Sequence, residues 1–436
     1  MNNNIHYLHG RPREIANFTR VGFSEHRQVE HLLSAGVMPA SRFVIEAANF
    51  KRQTSLIRTL RDEKAEIILD SNVAELSAKG RFGGAMRFAP WAAEKRPLDK
   101  DDFIPGTNRS VIEPISRFAI ENGIGTVMSP THYLGDGEYQ WFKVDQASCE
   151  ALRQDLDRRG GEHIAIDYPL IVTYAQLRDP ETRKILIDGL RDLPFDFLWL
   201  RVSGFGADAT AAGVERYMQA LFEFHALGKP IITDQVGGLA SLAISAFGAA
   251  SGFAHAITGK ERFTASGWIK PKAKKGQGSG GKTVYVHGLD RRMKVGDARK
   301  LFEDARTSRE IFGCPDKSCC GDIEKMLNNP EAHFIRQRNR QVNELSNTPE
   351  TLRSETFVTS HVEQARRRAD RAMKLKKADD DSKKMILKSQ KRLVRLEEML
   401  VNFQEQLGPV EYAAEASKRA FVPSDISKEA EGHAHE

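Results

Sequence analysis

Asp70 and Asp234 carry the first chemical reading of this chain. Each ends a short apolar run, Glu66-Ile-Ile-Leu-Asp70 and Pro230-Ile-Ile-Thr-Asp234. Similar runs lead to Glu46 and Asn49, to His132, to Asp167 and to Arg201, and one run contains His255. A carboxylate can act as a nucleophile, move a proton or hold a metal. Each acid alone suits a helix N-cap, but polar groups at the ends of successive apolar runs compose an active-site rim. A second constellation follows. Cys314-Pro-Asp-Lys-Ser-Cys319-Cys320 precedes His333, and three thiolates with one imidazole make a closed structural zinc set. The adjacent cysteine pair departs from the usual two-to-four-residue gap, so free thiols or a redox pair are the alternative. Cys149 stands alone, as a buried apolar cysteine does.

The elements that must position these groups alternate. Apolar runs begin at Phe43, Glu66, Thr126, His163, Phe197, Pro230, Gly252 and Thr283, each bounded by glycine, proline or charge. Helical patterns separate them, at 111–121, 146–158, 180–190 and 214–227. Eight β units alternating with α units predict an α/β protein with a (β/α)8 TIM-like barrel and a helical, Cys/His-containing C-terminal extension. An open doubly wound sheet is the alternative, weakened because no Gly-x-Gly-x-x-Gly follows a first strand. The expected division is a catalytic barrel over 1–290, a helical Cys/His subdomain over 291–355, a basic long helix or helical hairpin over 356–422 and a disordered tail over 423–436. The stretch 237–257 lacks charged residues, but its glycine, alanine and serine content suits a buried helix and strand better than a membrane span.

Charge is uneven. The chain of 436 residues carries +6, yet residues 361–396 hold +8 and 270–282 hold +5, which leaves −7 on the rest. A mildly acidic body with two basic appendages suits chemistry in the body and a grip on a polyanion outside it. Arg81 and Arg87, beside Phe82, Phe88 and Trp91, are placed to take phosphate and stack on a base, or to pack an Ω-loop. Lys274 and Lys275 flank a Gly-rich loop that lacks P-loop order, which reads as a basic lid or linker. Arg336 and Arg340 share one helix face, as phosphate contacts or as a solvated surface. Ile386, Ser389, Leu393, Leu396, Leu400, Phe403 and Leu407 make an a/d seam, which docks on the body or joins a homodimer through the 386–407 helix. Four cysteines and no recognisable signal segment predict a reducing, cytoplasmic setting without membrane partners.

Three groups of residues together resemble the tRNA-guanine transglycosylase superfamily, including relatives that place deazaguanine bases in DNA. Asp70-Ser71 matches the start of the family's Asp-Ser-Gly-Gly motif, with Asn72-Val73 in place of the glycines. Gly237-Gly238-Leu239 is similar to the family's base-pocket turn. Cys314, Cys319, Cys320 and His333 match its Cys3His zinc set in composition but not in spacing. The family's nucleophilic Asp ends a late strand; the run around His255 has none, and Asp234 is the nearest carboxylate. The resemblance implies exchange of a guanine-type base in tRNA or DNA, with a structural Zn2+. Asp234 would be the nucleophile and Asp70 the acid/base. Asp167 would hold the base edge, with Glu46, Ser71, Asn72, His132, Arg201, Gln235, Gly237, Gly238 and His255 around the substrate. Arg81, Arg87, Lys274, Lys275, Arg336 and Arg340 would hold the backbone. Two other readings stand beside it. One is a barrel hydrolase or lyase acting on a small substrate through a metal or carboxylates. The other is a non-catalytic nucleic-acid-binding barrel.

Overall fold

The computed structural model describes residues 12–135, 139–259, 261–269, 281–302, 306–314, 316–375, 378–408 and 411–419. The expected tail over 423–436 and the pair Lys274 and Lys275 lie outside these.

Eight parallel strands close a barrel in sequence order: β1 (Ala16–Val21), β2 (Arg42–Glu46), β3 (Glu66–Asp70), β4 (Thr126–Met128), β5 (Ala165–Thr173), β6 (Phe197–Ser203), β7 (Ile231–Asp234) and β8 (Gly252–Ala256). This is the (β/α)8 architecture expected, with one exchange of membership. The barrel opens with Ala16–Val21, which sequence reasoning passed over. The run at Thr283 leaves the barrel and forms β9 (Thr283–Val286), antiparallel to β10 (Arg291–Lys294). β1 pairs with both β2 and β8 to close the ring. Closure is tight at Gly252, where a Cβ would come within 2.1 Å of the Ala16 carbonyl oxygen.

Strand alternation sorts the barrel interior into three layers. The middle layer is apolar: Phe18, Val44, Ile68, Met128, Trp199, Ile232 and Ala254 pack together. Two residues further along the strands, Arg20, Glu46, Asp70, Arg201 and Asp234 form a charged upper layer at the strand C-termini. Two residues earlier, Arg42, Glu66 and Thr126 form a second polar layer at the floor. Asp167 belongs to the floor, because β5 runs on to Thr173 and Asp167 pairs in register with Phe197. The C-terminal segment seals that floor. Arg419 gives Nη2 to Asp167 at 2.7 Å and Nη1 to Thr126 at 2.8 Å. Its guanidinium lies 3.7 Å from the centre of the Phe197 ring, and Arg42 donates to the Ala416 carbonyl at 2.7 Å.

The extension packs on the same body. Asp290 knits three parts together. It accepts from the Leu239 amide at 3.0 Å, accepts a hydrogen bond from the Tyr285 hydroxyl, and pairs with Arg392 of the long helix Asp380–Leu407 at 2.7 Å. The seam docks within the chain. Ile386, Ser389, Leu393, Leu396, Leu400 and Phe403 are buried, and Phe403 stacks near Phe222 and Phe247 of the barrel's outer layer. The seam face is therefore already covered and does not present itself to a second copy. Among the described residues, no helix is long and apolar enough to cross a membrane.

Candidate active site and metal cluster

Four residues of the upper layer, Arg20, Asp70, Arg201 and Asp234, close a ring of charge with Glu75. Arg20 donates Nε to Asp234 Oδ1 and Nη1 to Asp70 Oδ2, both at 2.7 Å. Arg201 donates Nε to Asp234 Oδ2 at 2.7 Å and reaches Asp70 at 3.3 Å and Glu75 Oε1 at 3.2 Å. All five side chains are buried. Glu75 enters the ring from the helix Val73–Ser77. Asn72 makes the turn that sends it there. Its φ is +55°, its amide donates to Asp70 Oδ1 at 3.0 Å, and its own Oδ1 accepts from the Ala48 amide. Asparagine tolerates that left-handed backbone because its short polar side chain bonds locally.

Electrostatics separate the acids. Burial pushes Asp70 up, but Arg20 and Arg201 outweigh it and hold the carboxyl below its usual range. Burial also raises Glu75, and the Asp70 charge adds to it, beyond what Arg201 and Arg20 take back. Both guanidiniums resist burial because the ring carboxylates outweigh it, and they titrate above their usual value. Within the buried ring two cations match two aspartates, so Glu75, its third carboxylate, is surplus. Glu75 Oε2 is buried with no hydrogen-bond partner. A buried charge without compensation is expensive, and a carboxyl escapes that cost by keeping its proton. Above the ring, Phe263, Ala265 and Trp268 pack with Ala74, Ile171 and Tyr133, so the mouth is closed.

The other expected site residues divide. Arg201 belongs to the ring, and Asp70 and Asp234 face each other across it. Glu46 holds Asn49 at 2.6 Å on the same rim, and the Ser71 carbonyl accepts from Trp91 Nε1 at 2.8 Å. Gln235 follows Asp234 with φ +59° and donates its amide to Ala254. Asp167 lies at the opposite end of the barrel, as described, and is not at the mouth. His132 turns outward. Its Nδ1 bonds Asp145 at 2.5 Å and its ring stacks on Trp141. His255 also faces outward, bonding Asn17 at 3.0 Å beside Phe334, and burial and the Arg338 charge push its pKa down to about 3. The Gly237-Gly238 turn faces Glu261 rather than a pocket. A Cβ on Gly237 would strike the Glu261 side chain at 2.1 Å, and the Gly238 amide donates to Glu261 at 3.1 Å. Arg81 and Arg87 are exposed, with Arg87 over Phe88. Arg336 donates to the Cys319 carbonyl at 2.8 Å, and Arg340 lies 3.6 Å from Asp316. The basic helices spend much of their charge on acids: Arg366 on Glu397 and Asp370, Arg367 on Glu363, Arg371 on Glu310.

Sequence reasoning missed Arg20 and Glu75. Arg20 lay in a strand disguised by Asn17, Thr19 and Arg20 itself. Glu75 carried a signal, an acid one short turn beyond a strand-ending Asp.

The four predicted metal ligands come together. Cys314, Cys319, Cys320 and His333 place their ligand atoms within 4.8 Å of one another. The Cys319 and Cys320 sulfurs are 3.5 Å apart, and His333 Nδ1 lies 3.2 Å from Cys320 Sγ and 3.7 Å from Cys319 Sγ. A tetrahedron with metal–sulfur bonds of about 2.3 Å has edges of about 3.8 Å, so the donors fit an ion with little movement. His333 Nε2 lies 3.2 Å from the Tyr285 carbonyl, the outer contact that leaves Nδ1 free to ligate. Hydrogen bonds among the three thiols pull their titrations apart, Cys319 below the usual range and Cys314 and Cys320 above it, as expected of sulfurs crowded together. Four protein ligands fill a tetrahedron, which suits a structural ion.

No protein-family profile matches this chain, and no curated protein matches it. Two solved structures are similar at low identity. A GH10 xylanase from Bispora sp. MEY-1 with xylobiose shares 9% identity over 55% of this chain and 83% of its own, with a TM-score of 0.34. The carboxyl transferase domain of Rhizobium etli pyruvate carboxylase, with pyruvate and biocytin, shares 12% identity over 93% and 81%, with a TM-score of 0.33. Likeness at this level carries no argument about family or activity.

Proposed function

We propose that the protein is a barrel hydrolase or lyase acting on a small polar substrate by carboxylate acid/base catalysis. The observation that carries the reading is the surplus carboxyl. Asp70 and Asp234 are neutralised by Arg20 and Arg201, while Glu75 is raised and keeps one oxygen without a partner. An acid poised this way suits proton transfer. In this reading Glu75 gives or takes the proton. Arg201 and Arg20 hold a carbonyl or anionic oxygen of the substrate, and the two aspartates orient the guanidiniums. The closed mouth favours a small substrate, admitted when Phe263 and Trp268 move aside. The Cys3His set holds Zn2+ as a structural clamp. The test is depletion of compounds from a mixture of small polar metabolites, followed by mass spectrometry. Wild type should consume at least one that Glu75→Gln leaves intact; equal consumption by both would refute the reading.

A second reading, base exchange in tRNA or DNA, has two supports: the convergence of the four zinc-type ligands, and Asp70 facing Asp234 across shared arginines. It requires Asp234 to leave Arg20 and Arg201 before attacking a ribose carbon. Incorporation of labelled guanine into nucleic acid, lost in Asp234→Asn, would favour it over the small-substrate reading.

A further inference from the structure

We propose that a cavity in the helical extension, separate from the barrel mouth, binds a tetrahedral oxyanion, a phosphate or sulfate group. The cavity holds about 200 Å³ and lies between β9 and the helices Pro330–Asn347 and Glu363–Ala372. The site does not depend on the activity proposed above.

Its lining is rich in donors. Arg368 is half-buried and makes no ion pair or hydrogen bond among the described residues, while Arg366, Arg367 and Arg371 on the same helix are all paired with acids. His361 is buried, and its Nε2 has no hydrogen-bond partner; the nearest carboxylate oxygen, on Glu344, is 3.7 Å away. Arg340 stands at the exposed edge, with Asp316 at 3.6 Å. His287 lines the inner wall. Burial and the Arg338 and Arg340 charges lower the proton affinity of His361, whose Nε2 stands without a hydrogen-bond partner in this wall. Glu344 is the one acid in the lining. An oxyanion would supply several acceptors at once, satisfying Arg368, Arg340 and His361 with charge-assisted bonds. The π-helical turn Val358–Val362 carries His361 into this wall.

The anion has two sources, a free ion or a phosphate of a larger molecule, and the test separates them. Full-length protein with its metal content verified is titrated calorimetrically with inorganic phosphate, against chloride at equal ionic strength. Saturable binding of one phosphate per chain is expected. Arg368→Gln and Arg340→Gln should each weaken it about tenfold, the effect of one charge-assisted bond. Glu344→Gln, at an exposed position, should tighten it. A short single-stranded oligonucleotide that binds, and that phosphate displaces, would identify the larger source; phosphate binding without oligonucleotide binding would identify the free ion. The proposal is overturned if phosphate shows no saturable binding, or if both arginine variants bind it as wild type does. Arg340 lies at the surface, so its variant keeps the test decisive even if Arg368→Gln loses metal or fails to fold.

Discussion

Arg419→Ala tests how firmly the C-terminal segment locks the barrel floor. The arginine bonds Asp167 and Thr126, faces Glu66 at 3.8 Å and stacks on Phe197. Removing one partner of a buried ion pair costs about 3–5 kcal/mol. Asp167 keeps its 2.8 Å bond from Trp199 Nε1, and the Arg419 side chain is 18% exposed, so water can reach the gap. These features place the loss at the low end, about 3 kcal/mol. With an unfolding entropy of about 2.1 cal/mol/K per residue, the whole chain would melt about 3 °C lower at pH 7. The pH dependence follows from Asp167. Burial already raises its pKa, Arg419 opposes that rise, and the variant raises it further. An acid whose folded pKa exceeds its unfolded value destabilises the fold when ionised, and protonation relieves it. The gap between variant and wild type should therefore narrow as pH falls below neutrality. Thermal melts by circular dichroism at pH 7 and pH 5 read both effects. Arg419→Lys, which keeps the charge but not the forked contact, should fall between the two. A melting point within about 1 °C of wild type at pH 7, or a gap that widens in acid, would refute the reasoning.

Further outcomes follow from the same geometry. His255, with its pKa held near 3, binds a proton only when the chain unfolds. Stability should fall as pH drops from about 6.5 toward 3, by about 2 kcal/mol from this residue at pH 5, and His255→Gln should flatten that part of a pH–stability profile. Elemental analysis should find about one zinc per chain, lost in the Cys319→Ser/Cys320→Ser variant, whose extension should then be cleaved faster by limited proteolysis. Asp70→Asn removes a negative neighbour of Glu75, so the Glu75 titration should move down, read by isotope-edited infrared spectroscopy.

The barrel was legible because seven of its strands are short apolar runs, and burial on both faces demands such runs. β1 was not, since Arg20 sits in it for the ring and Thr19 and Asn17 break its apolar pattern. The Thr283 run has the same composition as a barrel strand, but its partner Arg291–Lys294 is polar and two-stranded pairing leaves no local mark. Asp70 and Asp234 were legible as strand-ending acids. Asp167 misled because β5 continues through Pro169 to Thr173, and a residue that seemed to end a strand lies near its start. His132 and His255 misled by parity: one residue along a strand or its continuation turns a side chain from the interior to the outer layer. The four metal ligands were legible by type, and the helix Pro330–Asn347 corrects their awkward spacing by bringing His333 to the cysteine turn. The floor lock by Arg419 was invisible, because nothing local ties residue 419 to Asp167, 252 positions away.

The central claim is that Glu75 is the proton-carrying group and that Asp70 and Asp234 are neutralised by Arg20 and Arg201. Carboxyl infrared difference spectra across a pH titration test it most directly. The account predicts a protonated carboxyl band that persists above the usual glutamate range, disappears in Glu75→Gln and remains in Asp234→Asn. A band lost in Asp234→Asn but kept in Glu75→Gln, or no carboxyl titrating above the usual range, would contradict it.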